Sequence, residues 1–307
     1  MQACVIMATY NAEDYIEEQL NSIENQTYKN IDIYIHDDGS TDETIKIIKN
    51  YKRKYNNIYF IEDNITFKSS NKNFFHLMKT ISRKQYEYIF FSDQDDIWDE
   101  NKVSILIKHI KKYSKDIPVM VHTDAVVVNC ANKIISPSFN KYADIEMERE
   151  DFISIALNNN AQGSSMVINK KCLDYINVNQ NNIDMYDHYM SMITAYYGKQ
   201  EFINTALIRY RQHESNVIGA IKSRRIYQFF SKKNYMNYTN CKTKEIDNAI
   251  KILIEFNKTA LDNSISNFIN ILKSNNFFKK IKFICKKRLY KKRKIKHLIS
   301  ILIYKYY

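Results

Sequence analysis

Apolar runs and helical stretches alternate along the first hundred residues. Cys4–Met7, Ile31–Ile35, Ile58–Ile61 and Tyr88–Phe91 have the length and the β-branched or aromatic bias of buried strands. Between them, Tyr15, Ile16, Leu20 and Ile23 fall on one helical face, a second helix is predicted to end near Tyr55, and a third is predicted over Asn73–Ile81. Ser40 and Glu43 have the spacing of a capping box for the second helix. Strands separated by helices of this length predict βαβ units: an α/β, mostly parallel sheet with helices on both faces. Further strands are predicted over Pro118–Val128, Ser165–Ile168, Glu201–Leu207 and Ile208–Tyr210, with helices over Phe152–Leu157 and after Asp187.

In such sheets ligands bind beyond the carboxyl ends of the strands. Thr9 with Asn11, Asp37 with Asp38, and Asp93 with Asp95 each stand at such an end, so three polar clusters share one edge. The carboxylates that follow Phe91 repel one another and suit a divalent cation, although acidic residues there would equally favour the start of the helix that follows. No glycine-rich phosphate loop follows the first strand, which argues against dinucleotide oxidoreductases, P-loop enzymes and sugar-phosphate nucleotidylyltransferases.

The net charge of +12 is unevenly placed. From Lys222 onward 22 Lys and Arg face 4 Asp and Glu, whereas the preceding residues carry 24 against 30. The basic tail points to an anionic partner. Its run FFKKIKFICKKRLYKKRKIKHLISILIYKYY, with Phe277, Phe278, Ile281, Ile284 and Leu289 among Lys279, Lys280, Lys282 and Lys291–Lys294, has the pattern of an interfacial membrane helix. A helical subdomain with a solvated basic face is the alternative; no nucleic-acid module accompanies the tail, and no nucleic acid is expected as a partner. The five cysteines, Cys4, Cys130, Cys172, Cys241 and Cys285, are scattered without C-x-x-C spacing, which fits a reducing compartment. The start shows no basic leader, and no apolar run approaches 18 residues. A cytoplasmic protein, peripheral on the inner face of the cell membrane, is expected.

The segment VIMATYNAEDYIEEQLNSIENQTYKNIDIYIHDDGSTDET, then Lys72, Asn73 and Phe74, then FSDQDDIW, resembles the family 2 inverting glycosyltransferases of the GT-A fold, most closely their bacterial rhamnosyltransferase-like branch. The likeness spans roughly residues 3–221 and divides the chain into a catalytic domain, 1–221, and a helical basic region, 222–307. It implies a nucleoside-diphosphate sugar donor (dTDP-rhamnose or a UDP-hexose), a glycan or polyprenyl-diphosphate-linked acceptor, and Mg²⁺ or Mn²⁺. Residue by residue, it implies that Ala8, Thr9 and Asn11 line the nucleotide pocket, that Asp38 meets the pyrimidine N–H, and that Asp37 supports that loop. Lys72 and Asn73 would approach the donor. Asp93, Gln94 and Asp95 match the D-x-D motif, with Asp95 on the metal. Gln162, Gly163 and Ser164 match the acceptor side, a polar turn over the core being the alternative. In IDMYDHYM, Asp187 would be the general base, with Asp184 its rival and a helix cap the plainer role; the neighbouring His188 reads as structural. Arg211, Gln212, His213, Asn216, Val217 and Gly219 match a terminal Y-R-Q-H-x-x-N-x-x-G run, in which Arg211 would neutralise the diphosphate and His213 would ligate the metal or the diphosphate. The non-enzymatic alternative is a membrane- or nucleic-acid-binding protein with a degenerate transferase domain.

Overall fold

The structure is a computed structural model and describes residues 2–143, 145, 151–157, 159–213, 247, 249–258 and 260–286. Its elements are β1 (Ala3–Thr9), α1 (Ile16–Glu24), β2 (Ile31–Asp37), α2 (Thr44–Lys54), β3 (Ile58–Ile61), α3 (Ser70–Ser82), β4 (Tyr88–Ser92), β5 (Ile97–Trp98), α4 (Lys102–Ile110), β6 (Val119–Asn129), β7 (Ile134–Ser136), α5 (Phe139–Ala143), α6 (Phe152–Leu157), β8 (Met166–Asn169), α7 (Tyr186–Tyr197) and β9 (Lys199–Gln212). Beyond them lie α8 (residues 249–258), α9 (Asn263–Lys273) and α10 (Phe277–Lys286).

The sheet runs in the order β3-β2-β1-β4-β8-β6-β9-β5, with β7 added to β6. Its first four strands are parallel, as the alternation of runs predicts. The remainder is mixed: β8 enters antiparallel between β4 and β6, β9 runs parallel to β6, and the two-residue β5 pairs antiparallel with Ile208 and Arg209 of β9. β9 is one continuous strand of fourteen residues where two were predicted, with its register against β6 shifting near its middle, and its end reaches the site.

Successive strand residues point to opposite faces, so the buried β1 supplies two cores. Ala3, Val5 and Met7 pack with Ile16 and Leu20 of α1, Ile48 of α2 and Leu106 of α4. Cys4 and Ile6 join the other cluster, with Phe74 and Met78 of α3, Tyr189 and Ile193 of α7, and Leu253, Phe256, Phe268 and Phe283 of α8–α10. Each such aliphatic or aromatic side chain contributes about 1.5–3 kcal/mol on burial. The apolar face of the tail helices, as far as they are described, is therefore turned onto the catalytic core. Lys279 and Lys282 lie outward, as do Phe277 and Phe278, and Lys280 is buried with its amine pushed below its usual range by desolvation. Leu289, Lys291–Lys294, Asn216, Val217 and Gly219 lie outside the described residues.

The expected capping box does not form. Ser40 instead donates to Asp37, and the backbone N–H of Thr44 is capped by Asp42 at 3.0 Å, because β2 runs two residues further than its apolar run and carries Asp37 into the turn. At Gly198 a Cβ would stand 1.7 Å from the Pro118 carbonyl oxygen, so only glycine lets α7 turn into β9 beside β6.

Candidate active site

The carboxyl ends of β1, β2 and β4 meet at one edge. At the first, Thr9 Oγ1 donates to Asp37 Oδ2 at 2.8 Å, and Asp37 Oδ1 accepts the N–H groups of Gly39 (3.0 Å) and Ser40 (2.7 Å). Gly39 has φ +88°, which glycine tolerates, and Asn11, at φ +47°, caps the turn by accepting from the Thr41 N–H at 2.9 Å. Ala8 is half-buried behind them. Asp38 binds its own protein: its oxygens accept the N–H groups of Phe67 and of Ser69 (2.8 Å), pinning the loop that leads into α3. Each of those oxygens keeps a further lone pair for a ligand donor.

α3 carries Lys72 and Asn73, and the two part company. Lys72 is half-buried at the helix start, where its N–H is capped by Ser69. Asn73 is buried and spans His36, with Oδ1 2.8 Å from the ring Nδ1 and Nδ2 donating to the His36 carbonyl at 3.1 Å. The expectation that Asn73 approaches the donor is corrected: the helical turn that presents Lys72 outward directs the next residue into the protein.

The acidic loop after β4 is assembled by β5. Pairing Ile97–Trp98 with β9 folds residues 93–96 against the end of that strand, so that Asp95 Oδ2 comes 2.7 Å from His213 Nε2. Tyr15 stacks on the other face of that imidazole, with ring centroids 4.9 Å apart. Gln94 grips Tyr10, accepting from its N–H at 2.6 Å and donating to its carbonyl at 3.0 Å, which ties the acidic loop to the turn that follows β1. Arg211 is likewise engaged. Its Nε donates to the Asp95 carbonyl at 2.8 Å and its Nη1 to the Cys130 carbonyl at 2.7 Å, while Nη2 pairs with Glu18 and the backbone N–H holds Asp96 at 3.2 Å. Each guanidinium nitrogen thus has a protein acceptor, and the side chain holds the acidic loop against β9.

Two residues outside the sequence-based site belong to it. Asp96 is fully buried, held by the Arg211 N–H at 3.2 Å and faced by the Ser164 hydroxyl. Lys102, also fully buried, donates to the Ser164 carbonyl at 2.6 Å and lies 3.1 Å from the Trp98 ring centroid. Burial, then Asp96 and Asp95, push the Asp93 carboxyl well up; burial and Asp95 also raise Asp96, and desolvation drives the Lys102 amine well below its usual range. Lys102 was legible, because it shares a helical face with Leu106 and Ile110.

Asp187 sits in the first turn of α7. That turn is fixed by Tyr186, whose ring stacks on Phe91 of β4 (5.0 Å) and packs on Phe74 (4.2 Å), so the base candidate is locked above the end of β4. Gly163 makes this possible: a Cβ there would be 2.0 Å from the Tyr186 hydroxyl, and its N–H donates to Asp187 Oδ2 at 3.1 Å. Oδ1 accepts the His188 N–H at 2.6 Å. Burial pushes the Asp187 carboxyl up to about 7 against those bonds, within the range a general base needs. The rival Asp184 is exposed, and His188 is structural, with Nε2 2.7 Å from the Ile155 carbonyl. Gln162 stands half-buried at the rim; Ser164 is fully buried, its hydroxyl turned inward toward the Asp96 carboxyl, so its expected acceptor contact is corrected to an inward one.

Asp93, Asp95 and Asp96 repel one another in one short loop, and His213 meets Asp95 among them. The excess of negative charge suits a divalent cation of the Mg²⁺ or Mn²⁺ type, although these ligand atoms do not close into a tight cluster like that of His36, Asp63 and His76.

Residues 4–164 match the family described as Glycosyl transferase family 2. The chain is 32% identical over 229 residues to the dTDP-rhamnosyl transferase RfbG of Shigella flexneri, covering 70% of this chain and 74% of that one. Among solved structures, S. aureus TarS 1-349 in complex with UDP-GlcNAc superposes with a TM-score of 0.55 at 15% identity, covering 83% of each chain. The mannosyltransferase PcManGT from Pyrobaculum calidifontis, in complex with GDP-Man and Mn²⁺, superposes with a TM-score of 0.53 at 13% identity, covering 98% of this chain and 86% of that one.

Proposed function

This chain belongs to glycosyl transferase family 2 and is a glycosyltransferase; on that premise we propose that it is an inverting, metal-dependent enzyme. Its donor is a nucleoside-diphosphate sugar of the dTDP-rhamnose or UDP-hexose class. Its acceptor is a hydroxyl of a glycan or lipid-linked glycan in bacterial surface polysaccharide synthesis. The observation that carries the reading is the placement of Asp187, buried with a carboxyl at about 7, beside the crowded carboxylates of the β4 loop.

In this reading Thr9, Asn11, Asp37 and Asp38 shape the nucleotide pocket, and Lys72 lies within the same edge. Asp95 and His213, with Asp93 nearby, would hold Mg²⁺ or Mn²⁺, which supplies positive charge to the departing diphosphate. Asp187 takes the proton from the acceptor hydroxyl as that oxygen bonds to the anomeric carbon and the bond to the diphosphate breaks on the opposite face. Arg211 keeps the acidic loop in place, and Gln162, half-buried at the rim, would meet a sugar hydroxyl. In this reading residues 1–221 are the catalytic unit, and the described helices α8–α10 belong to the basic region 222–307 that packs on it. Among the described residues no helix is long and apolar enough to cross a membrane. Surface attachment through Phe277, Phe278, Lys279 and Lys282 is the form of membrane contact the exposed residues support.

The test is calorimetric binding of UDP and of dTDP, each with Mn²⁺ and with a chelator, to the full chain and to Asp95→Ala. Metal-dependent binding of one nucleotide, lost in the variant, is expected. Equal affinity with and without metal would sink the metal assignment.

A further inference from the structure

A second cluster of metal-binding side chains lies on the far side of the Asp38 loop. His36 of β2, Asp63 just beyond β3 and His76 of α3 each offer one atom to a common point, all within 4.8 Å of one another. His36 Nε2 is 3.1 Å from Asp63 Oδ1, and His76 Nε2 is 2.7 Å from Asp63 Oδ2.

The hydrogen bonds around His36 fix its chemistry. Asn73 donates through Nδ2 to the His36 carbonyl, so its Oδ1 is the atom that faces the ring Nδ1 at 2.8 Å. That oxygen only accepts, so Nδ1 carries the proton. The other nitrogen, Nε2, faces the Asp63 carboxylate from a side chain only 2% exposed, so a cation, either a proton or a metal ion, lies between the two. An imidazole whose other nitrogen is held by an amide or carbonyl oxygen is the usual arrangement of a metal-ligating histidine.

We propose that His36, Asp63 and His76 form a transition-metal site of the zinc class, separate from the acidic loop. Two imidazoles and one carboxylate favour zinc, cobalt or nickel over magnesium, which prefers oxygen. Bonds of about 2.0–2.1 Å around a tetrahedral ion place ligand atoms roughly 3.3 Å apart. The histidine–Asp63 contacts of 3.1 and 2.7 Å would open slightly, and spacings that reach up to 4.8 Å would close, as the ion enters. Asp63 and His76 side chains are 29% and 21% exposed, which gives an ion a path in and leaves its fourth position to water. The site would brace the loop between Asp63 and Ser69, in which Asn64 and Lys68 have positive φ of 58° and 51° and Phe67 packs on both histidines. Asp38 holds the same loop from the other side, so the ion would set the position of one wall of the nucleotide pocket.

The experiment is zinc and cobalt titration of the untagged, chelator-stripped full chain in excess Mg²⁺, read by calorimetry and by the visible absorption of tetrahedral cobalt. One equivalent should bind, with affinity lowered at least about tenfold in His76→Ala and in Asp63→Asn. The Asp95→Ala chain should keep it, which separates this site from the acidic loop whatever the enzyme's activity. No zinc or cobalt bound by the wild-type chain, leaving a proton as the cation on His36, would overturn the proposal. So would undiminished binding in both variants, or loss of the ion in Asp95→Ala.

Discussion

Replacing Asp187 by Asn keeps the shape of the side chain and removes its titration, which lets catalysis and stability be read against each other. Burial lifts the carboxyl from 3.8 to about 7, so the folded protein holds a proton that the unfolded chain releases. Below about pH 4 both states are protonated and the group has no effect on stability. Between about pH 4 and pH 7 stability declines as pH rises, by about 1.4 kcal/mol per unit, towards a total of roughly 4 kcal/mol. About 2–3 kcal/mol of that loss falls between pH 5 and pH 8 by the same relation. The Asn variant escapes it, although its amide must set a donor against either the Gly163 or the His188 N–H, a pH-independent cost of about 1–3 kcal/mol. Urea unfolding at pH 5 and pH 8 measures the difference: the variant should gain about 2–3 kcal/mol on the wild type over that interval, whatever the constant offset. At pH 8 its transfer rate should drop about 10²–10⁴-fold while nucleotide binding persists, and the wild-type rate should climb as pH passes through 7. A stability difference that stays flat with pH would refute the raised carboxyl. Unchanged turnover would remove Asp187 as the base.

Gly163→Ala would place a methyl carbon 2.0 Å from the Tyr186 hydroxyl and 2.6 Å from its Cζ. It should destabilise the chain by about 1–3 kcal/mol and slow transfer more than it weakens nucleotide binding; an unchanged melting temperature and rate would show that Tyr186 is not the anchor of Asp187. Arg211→Lys leaves one ammonium to serve acceptors on Asp95, Cys130 and Glu18, so thermal unfolding without nucleotide should show a loss of about 3 kcal/mol. Weaker nucleotide binding at full stability would instead place the guanidinium on the donor. Phe278, 79% exposed on α10, should matter for vesicles and not for folding. Phe278→Ser ought to reduce sedimentation with anionic vesicles at unchanged stability, and equal sedimentation would argue against this patch as the attachment point.

The parallel half of the sheet was legible because each of its strands is a self-contained apolar run, and β3 matches its run at both ends. The mixed half was not. β5 is two residues long, and β8 pairs with strands far from it in sequence, so neither leaves a local signature of its partners. The candidate site divides in the same way. The clustering of Thr9, Asp37, Asp38 and Asp95 follows from strand ends sharing one edge, which the alternation of elements already implies. The direction in which each side chain points depends on packing, and this turned Asn73 inward, engaged Arg211 with two carbonyls and Glu18, and faced Ser164 toward Asp96. Lys102 could have been found from its place on the buried face of α4; the trio of His36, Asp63 and His76 could not, because those residues are brought together only by the stacking of β2, β3 and α3.

The helices after residue 249 share one apolar cluster with β1, α3 and α7, Phe256 lying 5.1 Å from Phe152 and 6.4 Å from Tyr189. The helix that carries Asp187 is thus packed between the sheet and the C-terminal segment, and a change of sequence character along the chain is not a seam in the folded molecule. The two parts should melt in one cooperative transition. A chain cut after the sheet would bare the outer side of α7, and the base would lose its rigidity before the nucleotide pocket lost its shape.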